Sequence, residues 1–192
     1  MKAAILLSLT LCATATLAAA PQLRTGTFDP PRPAPEFSLQ GSNGAPVRLS
    51  AFRGKVVALG FGYTSCPDVC PTTLADLAKA RRKLGAAAKD LQIIYVTVDP
   101  QRDSAALLRS YLAAFDPTFI GATGAPAELA EVRKAYGIQT SRKDIPGNPP
   151  TYFVHHSSYV YLVDRAGTLR AMMPFGVSVD DIAHDVTALL TP

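Results

Sequence analysis

The run from Lys55 to Phe61 is apolar after its first residue, rich in Val and Leu, and of strand length. It leads through Gly62-Tyr63-Thr64-Ser65 straight into Cys66-Pro67-Asp68-Val69-Cys70-Pro71. Beyond that, Thr72 to Leu84 places Leu74, Leu77, Ala78 and Leu84 at helical spacing. A strand that is apolar on both faces belongs in the middle of a sheet covered on both sides. The chain must therefore build a layered α/β domain in which two thiols stand where a central strand meets a helix.

Leu91 to Val98 reads as a second buried strand, ending at Asp99-Pro100. Asp103 or Ser104 can cap a helix running through Phe115, with Leu107, Leu108, Tyr111 and Leu112 on its inner face. Phe119-Ile120 is a short strand candidate, and Ala125 to Tyr136 is a further helix stopped by Gly137. Ahead of the first buried strand, Glu36–Leu39 and Val47–Leu49 flank Gly41-Ser42-Asn43-Gly44 as a small hairpin. Residues 138–150, with Pro146-Gly147 and Asn148-Pro149-Pro150, read as an exposed loop that lids the site. Tyr152–His155 and Ser158–Val163 are strands or one kinked strand, followed by a turn and a strand from Thr168 to Met173. Ser178, with Asp181 three residues on, caps a last helix through Leu190. This order predicts an α/β, thioredoxin-like fold: a central mixed sheet flanked by helices, with an N-terminal hairpin.

The first 20 residues read as a signal peptide, with Lys2 at the start, an apolar stretch from Ala3 to Leu17, and small residues through Ala20. A weak membrane anchor is the alternative, although a span needs about 20 apolar residues. Residues 21–35 carry Pro21, Pro30, Pro31, Pro33 and Pro35, and read as a proline-rich tether without regular sheet. Residues 36–192 form the folded domain. Of the 3 cysteines, Cys12 lies in the signal, which leaves Cys66 and Cys70 in the mature chain. Export implies an oxidising compartment, the periplasm. A disulfide across so short a loop would constrain the unfolded chain little, so chemistry explains the pair better than stapling. The net charge of +4 comes from scattered residues, with Arg81-Arg82-Lys83 the longest basic run, and gives no nucleic-acid signal.

Cys66 and Cys70, at i and i+4, are expected on one helix face, within disulfide range and close enough to reach one ion. Pro67 and Pro71 are tolerated only near a first helical turn, which puts the pair at a helix N-terminus, where the local field favours thiolate. Asp68 between them reads as a solvated first-turn carboxylate, with a role in partner docking or in supporting the ligands as the alternative. His156 is the third candidate, because the turn before the strand Tyr159–Val163 faces the dithiol in such a sheet. His155 would point to the opposite face. His184 is expected to be exposed, and Met172 and Met173 to pack in the core. Two thiolates and an imidazole suit copper or zinc. The alternative is a redox pair, but generic thioredoxin-like reductases keep a proline near the position of Ser158, and none stands there.

Three blocks carry a family resemblance: Gly60-Phe61-Gly62-Tyr63-Thr64 with Cys66-Pro67-Asp68-Val69-Cys70-Pro71, then Val96-Thr97-Val98-Asp99-Pro100-Gln101-Arg102-Asp103 with Phe119–Gly124, then Val154-His155-His156-Ser157. Together they resemble the Sco/SenC family of copper proteins over roughly residues 35–190. The resemblance implies a copper metallochaperone for the binuclear copper centre of cytochrome c oxidase, with Cys66, Cys70 and His156 as ligands of Cu(I), Cu(II) or both. The implied partner is the copper-bearing oxidase subunit or another periplasmic copper protein, near the membrane. The family usually has Asp where this chain has His155. The competing function is a thiol–disulfide oxidoreductase that uses Cys66 and Cys70 to reduce the acceptor's cysteines. A peroxidase is a third and weaker alternative.

Overall fold

The computed structural model describes residues 22–145 and 151–191. The expected signal peptide or anchor lies outside them, as do residues 146–150 of the expected loop. No helix among the described residues is long and apolar enough to cross a membrane.

The strands, in chain order, are β1 (Thr27–Pro33), β2 (Ser38–Gly41), β3 (Pro46–Arg48), β4 (Val56–Gly62), β5 (Leu91–Thr97), β6 (Ile120–Thr123), β7 (Thr140–Asp144), β8 (Tyr152–His156), β9 (Val160–Val163) and β10 (Thr168–Met173). The helices are α1 (Val69–Lys83), α2 (Ala105–Ala113), α3 (Pro126–Tyr136) and α4 (Val179–Leu190). Eight strands form one mixed sheet in the order β1-β10-β9-β4-β5-β6-β2-β3, and β7 and β8 form a separate ribbon. β4, β5 and β6 run parallel, and β9 lies antiparallel to β4. Every residue of β4 and β5 is buried, as their apolar runs require of central strands. The hairpin β2–β3 extends the sheet by pairing β2 with β6. The expected thioredoxin-like α/β fold is present.

The structure corrects several expectations. Thr27–Pro33, inside the expected tether, is an edge strand that pairs with β10 through Thr27, Arg32 and Pro33, with a register shift between the first two. Proline is tolerated at such an edge, where irregular pairing leaves its missing N–H without consequence. Residues 140–144, expected as part of a lid loop, are a fully exposed strand paired with β8, with Thr140 opposite His156. They brace the histidine strand. Leu107, expected on the inner face of α2, is 43% exposed, whereas Leu108 and Leu112 are fully buried. The side of α2 that meets β6 is this i, i+4 pair, packed where Gly121 leaves room. The basic run at the end of α1 is engaged within the fold: Arg81 pairs with Asp116, and Lys83 with Asp180.

Asp185 of α4 locks the start of the domain. Its carboxylate, fully buried, accepts from the Arg24 N–H at 2.8 Å, the Thr25 N–H at 3.0 Å and the Thr25 hydroxyl at 2.7 Å. His184, half-buried rather than exposed, stands 3.0 Å from the same group. Burial alone would raise this carboxyl, but the hydrogen bonds from His184, Arg24 and Thr25 outweigh it and hold it below the usual range. A depressed carboxylate contributes stability above its unfolded-state pKa of about 3.9. That contribution is lost as pH falls through the lower folded value. Asp185→Ala is expected to cost about 2–3 kcal/mol at pH 7 by the net worth of hydrogen bonds to a charged group. The deficit should shrink in strong acid, as read by urea unfolding at pH 7 and pH 3. An equal deficit at both values would show that packing, not charge, carries the effect.

Candidate metal centre

β4 delivers the chain to a turn in which the Cys66 N–H donates to the Tyr63 carbonyl at 3.3 Å. α1 begins at Val69, so Cys70 lies in its first turn while Cys66 lies ahead of it. The expected single helix face is thus replaced by a turn and a helix start. Pro71, third in the helix, falls where backbone N–H groups have no partner. Asp68, the residue preceding the helix, is exposed and makes no side-chain cap. Cys66 is half-buried, Cys70 is 3% exposed, and both are free thiols.

His156, the last residue of β8, brings its Nε2 to 3.4 Å from the Cys70 sulfur. Its Nδ1 lies 3.0 Å from the Ser157 carbonyl. A carbonyl can only accept, so Nδ1 carries the proton and Nε2 keeps its lone pair for the thiol or an ion. The two Sγ atoms and a histidine nitrogen all lie within 4.8 Å of one another, the one group among the described residues that could hold a metal. An ion with bonds of about 2.0–2.3 Å to nitrogen and sulfur can separate its ligands by up to about 4.6 Å. A small inward shift closes the set. His155 is exposed and points away, opposite Ser141. Met173 is buried and Met172 half-buried against the core.

Burial pushes the Cys70 thiol up to about 12, with the neighbouring Tyr95 hydroxyl opposing and Cys66 adding to the shift. Desolvation therefore overrides the helix-terminus field that was expected to favour thiolate. In the metal-free protein Cys70 holds its proton, which must leave when an ion binds. Burial likewise lowers the His156 pKa; the Ser157 contact opposes this and His155 adds to it. The imidazole stays neutral and ready to ligate.

A rigid frame fixes these three side chains. Asp103, fully buried, accepts from the Thr64 hydroxyl at 2.6 Å, the Thr64 N–H at 3.1 Å and the Thr97 hydroxyl at 2.7 Å. This ties the end of β5 to the turn that carries Cys66. Asp99 accepts from the Tyr152 hydroxyl at 2.8 Å and pairs with Arg102, which donates to the Tyr152 carbonyl at 3.1 Å. Arg102 and Arg142 each stack 3.8 Å from the centre of the Tyr152 ring. That cluster pins the start of β8. The Tyr63 ring meets His156 edge-on at 6.0 Å, and its hydroxyl accepts from the Val154 N–H at 3.3 Å. Residues 99–103 thus hold the cysteine turn with one carboxylate and the histidine strand with the other.

A sequence model described as SCO1/SenC matches residues 26–191. The chain belongs to the SCO1/SenC family. A SCO2-like protein of Rickettsia felis is 33% identical over 132 residues, covering 69% of this chain and 64% of that protein. This chain therefore spans just under two thirds of that relative's length. Among solved structures, Bradyrhizobium japonicum ScoI with copper bound is 34% identical, with a TM-score of 0.75 over 82% of this chain and 99% of that one. Apo Sco1 of Thermus thermophilus is 37% identical, with a TM-score of 0.79 over 90% and 100%.

The three ligand candidates named from the sequence, Cys66, Cys70 and His156, come together. Asp103, Asp99, Arg102, Tyr152 and Tyr95 were not singled out for the site. The block Val96–Asp103 contributed to the resemblance, yet nothing in its composition says that its carboxylates point into the protein. Gly62 was the available signal for Tyr95, because a glycine inside a buried strand marks a close approach.

Proposed function

We propose that this protein is a copper metallochaperone that carries copper on Cys66, Cys70 and His156 and delivers it to the binuclear copper centre of cytochrome c oxidase. The convergence of two thiol sulfurs and one imidazole nitrogen within 4.8 Å carries this reading. Soft thiolates favour Cu(I), and imidazole suits either oxidation state. The copper-bound ScoI relative supports the choice of metal. Delivery proceeds by ligand exchange. The acceptor's cysteines replace these ligands one at a time, entering where Cys66 and His156 are partly exposed. The signal-like N-terminus supports a periplasmic site of action close to the membrane.

Anaerobic Cu(I) titration of the reduced domain tests this reading. One equivalent is expected to bind. His156→Ala should weaken binding at least about 100-fold, since even groups behind the ligands contribute 10–100-fold. Wild-type protein that binds no copper, or a histidine variant that binds as well as wild type, would remove the three-ligand site.

The unequal exposure of the two thiols favours a second reading, a thiol–disulfide oxidoreductase. The half-exposed Cys66 sulfur attacks the acceptor's disulfide, and Cys70 then displaces the reduced acceptor from the mixed disulfide. Two electrons and two protons pass to the acceptor, and Cys66–Cys70 becomes a disulfide. This reading predicts that His156→Ala keeps exchange activity while Cys66→Ser and Cys70→Ser abolish turnover, as measured with an acceptor-type peptide disulfide.

A further inference from the structure

Tyr95 lies on β5, is 3% exposed, and has a buried hydroxyl with no hydrogen-bond partner among the described residues. Leaving such a group unpaired is costly, so a buried orphan calls for an explanation. The hydroxyl points at the end of β4, into the space left by the missing side chain of Gly62. A Cβ at Gly62 would lie 2.0 Å from the Tyr95 oxygen and 2.8 Å from the Cys70 sulfur. Donor and sulfur therefore converge on one notch. A neutral thiol is a weak acceptor, whereas a thiolate bound to a metal keeps lone pairs and negative charge that a hydroxyl can serve.

We propose that Tyr95 is a positioning residue whose hydroxyl donates to the Cys70 sulfur when copper is bound, so that it stabilises the loaded state and is unpaired in the empty one. The inference rests on the copper reading and deepens it. With copper bound, the O–H has only to rotate toward the sulfur that shares the Gly62 notch with it. Tyr95 thereby adds to the difference in free energy between the empty and loaded forms.

Tyr95→Phe tests this with effects of opposite sign in the two states. The empty protein loses an orphan hydroxyl, and its unfolding midpoint is expected to rise by about 2–4 °C. The loaded protein loses a donor. Cu(I) affinity, measured by competition with a colorimetric chelator, is expected to fall about 10-fold. With Co(II) as a redox-inert probe, the thiolate-to-metal charge-transfer band should move to longer wavelength, because the sulfur electrons are held less tightly. A purely packing role would move stability in one direction and leave the band in place. If wild type binds Cu(I) and Tyr95→Phe binds equally tightly with an unshifted Co(II) band, the assignment to Tyr95 is overturned while the copper reading stands. Wild-type protein that binds no Cu(I) overturns both.

Discussion

Asp103→Ala is expected to cost about 3–5 kcal/mol and to loosen copper binding together with the fold. The carboxylate is fully buried and serves the Thr64 N–H, the Thr64 hydroxyl and the Thr97 hydroxyl at once. Burial raises its pKa, and the bonds from Thr64 and Thr97 work against that rise. Removing it strands the fully buried Thr97 hydroxyl and the half-buried Thr64 donors, which is the costly half of breaking a buried polar cluster. The hydroxyls can rotate toward other acceptors, but the Thr64 N–H cannot, and it lies two residues before Cys66. The turn then loses its anchor to β5, and the Cys66 sulfur is no longer held near Cys70 and His156. Thermal unfolding of the empty protein reads the first effect, and Cu(I) competition on the folded fraction reads the second. A variant as stable as wild type, or a destabilised one with unchanged affinity, would show that the brace is not what positions Cys66.

The contrast between Asp103 and the cysteines explains how much could be read in advance. The central strands announce themselves because burial on both faces demands near-continuous apolar runs, and Val56–Gly62 and Leu91–Thr97 have them, with Gln92 and Thr97 the polar exceptions. The helices show their period and their stops, as with Gly137 in the left-handed conformation at the end of α3. β1 and β7 were missed for a shared reason. Edge strands take their hydrogen bonds from one neighbour and face water on the other side, so their sequences can be rich in proline or charge. Local pattern cannot reveal a pairing supplied by β10 or β8.

The site divides in the same way. The sequence shows that Cys66 and Cys70 are neighbours. His156 could be joined to them only through strand order and family resemblance, because the contact depends on the whole sheet being closed. The expectation of an activated thiolate erred because it weighed the helix end, which sequence shows, without the burial of Cys70, which it does not. Asp99 and Asp103 look like ordinary loop acids at the end of a strand. Their partners include Tyr152 and Thr64, which arrive from two distant places in the chain and join Thr97 of the same block.

Gly62→Ala is expected to damage both stability and copper binding, although it adds only one methyl group. The new Cβ would meet the Tyr95 oxygen at 2.0 Å, its ring carbon Cζ at 2.7 Å and the Cys70 sulfur at 2.8 Å. All three belong to the Tyr95 and Cys70 side chains, each 3% exposed, so none can swing into solvent. Overpacking of this kind costs about 1–3 kcal/mol. Here the displaced atoms include the sulfur of a proposed copper ligand, so copper affinity should fall with stability. Gly60 gives the internal control. It lies on the same strand, and a Cβ there would find its nearest atom, on the Tyr95 ring, at 3.5 Å, which is ordinary contact. Gly60→Ala should therefore leave both stability and copper binding close to wild type. Combining Gly62→Ala with Tyr95→Phe removes the closest clashing atom and should recover part of the lost stability, a non-additivity that two unconnected sites would not show. Strictly additive losses in urea unfolding would mean that the alanine acts through the strand backbone and not through the notch shared by Tyr95 and Cys70.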